Sequence, residues 1–227
     1  APLHILPTLW FRNTWSWGAD RLPEPTIDVA PAADGLLAVV ADDSPTPLDP
    51  QIPFPYRLGQ RWLYGPAQPS QPAAACLLTD NESAADGRRH AKDAFHRAVC
   101  QGGRGGLKPA GPGTKAAFHY TFQIAAGDSA TLRLRLSPRP LDRPLDNVDQ
   151  IIAKRQAEAD AFYAAICPPQ ASADERLVQR RALAGLLWTK QTYLFDVAKW
   201  LDGDNPASPP PPGRERIRNQ HWRHLNS

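Results

Sequence analysis

Apolar positions change their spacing about two-thirds of the way along the chain. Up to about residue 137 they come in short runs that alternate with polar positions, as in strands with one face buried. Residues 3–12 alternate in this way, and Pro7 in their middle confines them to an edge, a bulge or an interrupted ladder. Residues 36–41, 56–64 and 74–79 supply three more strands between Gly, Asp and Pro turn signals. Residues 115–126 and 130–137 flank Gly127-Asp128-Ser129, the pattern of a hairpin. Several short strands between turns predict an antiparallel sandwich for residues 1–140.

Further on, apolar residues recur every three or four positions, the helical period. One helix is expected over 147–166, with Val148, Ile151, Ile152, Ala159, Phe162, Tyr163 and Ile166 on its stripe, ended by Cys167-Pro168-Pro169. A longer one is expected over 172–201. Ser172 and Glu175 have the spacing of a capping box, which starts that helix near Ala173. In its second half Leu186, Leu187, Trp188, Tyr193, Leu194 and Phe195 spread apolar surface around most of the circumference, so other helices should enclose it. The organisation read from the pattern is a sandwich over 1–140, a linker helix over 141–171, and the opening of a helical domain over 172–227.

Composition narrows the classes of function. With 42% apolar residues in a chain of 227, a real core is affordable. The balance of 26 basic and 23 acidic side chains lacks the clustered positive charge of a nucleic-acid binder. No apolar run reaches the roughly 20 residues that span a bilayer. Three scattered cysteines signal neither a disulfide framework nor a Cys-x-x-Cys metal site, and fit a reducing, cytoplasmic setting. Methionine is absent, even at position 1, and the chain opens as if in mid-strand, so it reads as a piece of a longer protein.

Candidate chemistry gathers in three places. Trp10, Trp15 and Trp17 stand among Arg12, Asn13 and Ser16, a combination that can stack on sugar rings and bond their hydroxyls; the competing reading is a buried aromatic plug. Lys92, Asp93 and His96 surround Phe95 just before a glycine-rich stretch at 102–113. That stretch lacks the phosphate-loop pattern and reads as a long surface loop. Arg218, Asn219, His221, Trp222 and His224 form a polar-aromatic tail after a proline run. Asn81-Glu82-Ser83 fits a glycosylation triplet, which is set aside because nothing signals secretion. Asp93 and Asp196 are the carboxylates in unusual settings, and both read more simply as capping or hydrogen-bonded groups. No cluster with metal-ligand spacing is present.

LHILPTLWFRNTWSWG (3–18), LLTDNES (77–83), KDAFHRAV (92–99), GTKAAFHY (113–120), the span 174–204 and RNQHWRHLNS (218–227) together resemble the bacterial members of glycoside hydrolase family 63, the processing α-glucosidase group. The likeness runs in family order over nearly the whole chain. It implies a β-sandwich followed by an (α/α)6 toroid, of which this chain would hold the first helices, and hydrolysis of α-glucosides with inversion and without a cofactor. The segments that would carry the catalytic acid and base have no counterpart here, so the resemblance assigns no catalytic residue. Trp15, Trp17, Lys92, Asp93, His96, Arg218, Asn219 and Trp222 are the expected contacts to an oligosaccharide. A free-standing carbohydrate-binding or structural sandwich is the alternative.

Overall fold

The structure, a computed structural model, describes residues 2–16, 20–48, 54–68, 73–83, 90–189, 195–203, 209–218 and 220–224. It divides into two compact units, Ala1–Val148 and Asp149–Ser227.

The first unit is built on two antiparallel four-stranded sheets. At the centre of one lies β7 (Lys115–Phe122), with β1 (Leu3–Ile5) and β2 (Thr8–Trp10) along one edge and β6 (Ala75–Thr79) along the other. Its KAAFHYTF sequence puts Ala116, Phe118, Tyr120 and Phe122 on the core side. Pro7 interrupts its edge as the pattern implied: Leu3 pairs with Phe122 and Thr8 with Ala117, so one register is kept on both sides of the break. Pro7 has no N–H to give, but its carbonyl accepts from Phe118 N at 3.1 Å. The other sheet runs β3 (Thr26–Val29), β4 (Leu36–Asp42), β5 (Arg61–Pro66), β8 (Arg135–Ser137). The two sheets share one core, in which Ile27, Val39, Phe118 and Tyr120 are completely buried. Each such apolar side chain contributes about 1.5–3 kcal/mol through burial.

Local expectations are revised in three places. Residues 115–126 and 130–137 do not form a hairpin. β7 stays in its sheet, the chain turns at Gly127 (φ 85°), and β8 pairs with β5 in the other sheet, Trp62 opposite Ser137. Alternation marks a strand but not its partner. Residues 56–60 are not a strand either: Asp43 accepts from Leu58 N and Gly59 N, both at 2.8 Å, and holds them in a loop. The segment 91–100 contains a helix that the pattern had not revealed, α1 (Ala94–Gln101), closed by Gly102 at φ 68°.

The second unit holds α2 (Val148–Ile166), α3 (Ala173–Thr189) and α4 (Val197–Asp202), followed by a 3-10 turn at Pro212–Glu215. α3 folds back on α2 around Cys167-Pro168-Pro169, held by the Arg180–Asp160 ion pair, Arg180 over the Tyr163 ring and Gln179 Nε2 on Ile166 O. The expectation of an (α/α)6 toroid is not met. The chain is mainly β, with four short helices among the described residues. The single helix expected over 172–201 is not continuous: α3 is described as far as Thr189, residues 190–194 lie outside the described residues, and Asp196 is extended (φ −91°, ψ 107°), accepting from Lys199 N as the cap of the separate α4. Apolar side chains around a helix indicate that something should cover them, not a ring of helices; here Leu186, Leu187 and Trp188 stand exposed. No described helix is long and apolar enough to cross a membrane.

The capping box is present. Glu175 N donates to Ser172 Oγ at 3.3 Å, and Ser172 N donates back to Glu175 Oε2 at 2.8 Å. The backbone bond from Ser172, with the bond from its hydroxyl, holds the Glu175 carboxyl below its ordinary pKa. A lowered carboxyl pKa contributes stability at neutral pH that is lost as the pH falls through the carboxylate range. Ser172→Ala should therefore reduce helical ellipticity more than Ser172→Gly does, and acid titration of the ellipticity should flatten in both variants. Equal helicity in all three proteins would show that the box contributes nothing.

Candidate functional site

Segments far apart in sequence meet where β2, β6 and the start of β7 end together. Asn81 ties three of them: its N–H donates to Thr114 Oγ1 at 2.7 Å, and its Nδ2 donates to Phe11 O at 2.8 Å. Asn13 Nδ2 reaches Asn81 O at 3.4 Å, and Phe11 N reaches Thr114 O at 3.3 Å. The Asn81 amide is thus committed inside the fold, a poor setting for a glycosylation acceptor. Next to it Glu82, 2% exposed, accepts from Trp15 Nε1 at 2.9 Å and pairs with Arg21, which also holds Glu24. Glu82 O takes the N–H of Lys92 at 2.9 Å, which sets the entry to α1. Behind them Asp80 is paired to Lys108 at 2.8 Å.

Four of the resembling stretches, 3–18, 77–83, 92–99 and 113–120, are therefore one connected polar node. Sequence reasoning quoted all four but gave no role to Arg21, Asn81, Glu82 or Thr114.

The expected contact residues are placed as follows. Trp15 is 2% exposed, its indole N–H engaged by Glu82, so it is an aromatic plug with no open face for a sugar. Trp17 and Asn219 lie outside the described residues. Lys92 and His96 are exposed beside the node. Asp93 pairs with Arg97 and does not cap α1 with its side chain. His96 Nδ1 lies 3.7 Å from Cys100 Sγ. Two further side chains join this rim. Trp10, 55% exposed, stands opposite Lys115 in the β2–β7 register, and the Lys115 ammonium lies 5.3 Å above the Phe95 ring. Burial, followed by the charge of Lys92, holds the Lys115 pKa below its usual value. In the second unit Arg218 and Trp222 are exposed, Trp222 edge-on to His221. That tail is fastened to α4: Arg214 stacks on Trp200 and Arg223 pairs with Asp202.

The chemistry open to these groups is recognition. Glu82 is ion-paired, Asp93 is held by Arg97 and Asp196 caps α4. A carboxylate so engaged accepts hydrogen bonds but is not poised to deliver a proton. Among the described residues no group of three or more His, Cys, Asp or Glu side chains could hold a metal.

No protein-family model matches the chain, and no solved structure matches it. Uncharacterized protein YMR196W of Saccharomyces cerevisiae is a relative, 32% identical over 246 aligned residues that cover 98% of this chain and 23% of the yeast protein. The chain thus spans about a quarter of the length of that curated relative.

Proposed function

We propose that this chain is the β-rich, saccharide-contacting part of a longer glycoside hydrolase that acts on α-glucosides with inversion. The observation that carries the reading is the convergence of four resembling stretches on the Asn81–Glu82 node, with Trp10, Lys92 and His96 exposed on its rim. Inversion requires two carboxyl groups about 6.5–9.5 Å apart, one to protonate the leaving oxygen and one to activate water. The candidate carboxylates Glu82, Asp93 and Asp196 are engaged in ion pairs and a cap, so this reading takes the acid and base from other parts of the longer protein. The same engagement supports a second reading, a carbohydrate-binding domain with no hydrolysis of its own.

The test uses the longer protein and its Trp10→Ala variant on an α-glucoside, with NMR of the first-released anomer. Release of β-glucose by the parent, together with a KM raised about tenfold in Trp10→Ala, equivalent to about 1.4 kcal/mol, is the expected result. Saccharide binding without turnover selects the second reading; neither turnover nor binding removes both.

A further inference from the structure

Away from the polar node, two imidazoles meet across the edge of the β7 sheet. His4 on β1 is opposite Thr121, which makes His119 its diagonal neighbour on the same face. His4 Nδ1 and His119 Nε2 are 2.8 Å apart, with ring centroids 5.0 Å apart and planes inclined by 32°. Thr121 Oγ1 lies 3.3 Å from the same His4 nitrogen. His4 is exposed and His119 half-buried, so the pair is open to solvent on one side.

Two neutral imidazoles at this distance share one proton, one ring donating and the other accepting. The same two nitrogens are also spaced like neighbouring donors around a metal ion. With zinc about 2.0–2.1 Å from each nitrogen, tetrahedral donors are separated by about 3.3 Å, so the two rings would have to part by about half an ångström to admit the ion. Thr121 Oγ1 already stands at that donor–donor spacing from His4. We propose that His4 and His119 form a binding site for a divalent transition metal, zinc being the ion whose geometry fits, with the Thr121 hydroxyl and water filling the remaining positions. Entry of the ion requires only that the shared proton move to the far nitrogen of its own ring, His4 Nε2 or His119 Nδ1, so both facing nitrogens become donors and no redox change occurs. Burial of His119, followed by the charges of His4 and Arg104, works against a cation there and keeps the affinity modest.

Zinc chloride alone, titrated calorimetrically into the full chain at pH 7.5, should bind one ion. His4→Gln and His119→Gln should each weaken that binding at least about tenfold, whereas His221→Gln, in the second unit, should leave it unchanged. In the unaltered chain, proton NMR should show zinc shifting the ring signals of His4 and His119, a readout that does not depend on any variant folding. Absence of binding, binding indifferent to His119→Gln, or shifts confined to His96, His221 or His224 would each overturn the site.

Discussion

Glu82→Ala is expected to destabilise the β-rich unit by about 2–4 kcal/mol. The carboxylate is almost fully buried, and its removal leaves the equally buried Trp15 Nε1–H without its acceptor. An orphaned buried donor alone costs about 1–3 kcal/mol. The lost partner of Arg21 adds less than the 3–5 kcal/mol typical of a broken buried pair, at about 1 kcal/mol, because that side chain is partly exposed and keeps Glu24. Glu82→Gln separates the two contributions: its amide oxygen can still accept from the indole, so only the negative charge facing Arg21 is lost. Urea unfolding followed by tryptophan fluorescence should therefore rank wild type, Glu82→Gln and Glu82→Ala in that order. An alanine variant within about 0.5 kcal/mol of wild type would mean that the node is not a structural anchor.

How much of this was legible in the chain differs by element. β7 was plain, since its alternation matches burial everywhere but at Ala117, which is buried on the opposite face in a second cluster, and the break at Pro7 followed from the missing N–H. The Ser172–Glu175 box was equally local and therefore readable. The partner of residues 130–137 was not, because an alternating strand satisfies any antiparallel neighbour, and which sheet receives it depends on the turn at Gly127. α1 was hidden by its length: eight residues give too few turns for a period to stand out, and the nearby glycines drew the segment toward a loop. The toroid was what the family resemblance implied, and the enclosing helices were inferred from the apolar surface on 183–195, yet that surface reports only a need for cover. Glu82 was missed for a different reason. Nothing in its own neighbourhood distinguishes it; its role exists only once Trp15, 67 positions away, is brought beside it.

Gly113→Ala should be at least as damaging as most core truncations that remove one methyl group, at about 1–3 kcal/mol, although it adds a single carbon. Gly113 is wedged between the two sheets. Its N–H donates to Ile27 O at 2.8 Å and its carbonyl accepts from Ile27 N at 2.6 Å, binding it to β3. On its other side a Cβ would sit 2.4 Å from Thr79 O and 3.1 Å from Thr79 C. The obstructing atoms are backbone, and they cannot rotate away like a side-chain tip. Thr79 O moreover accepts from Thr114 N at 3.1 Å, so relief of the clash would pull on the hydroxyl that holds Asn81. Gly105→Ala, in the loop preceding it, is the control: nothing lies within 4 Å of its added Cβ, and it should stay within about 0.5 kcal/mol of wild type. Thermal and urea unfolding of the pair decide the matter. If both variants melt together, the close approach of Thr79 to Gly113 does not exist in solution; if Gly113→Ala alone falls, the glycine of GTKAAFHY is there because backbone from β6 occupies the place of a side chain.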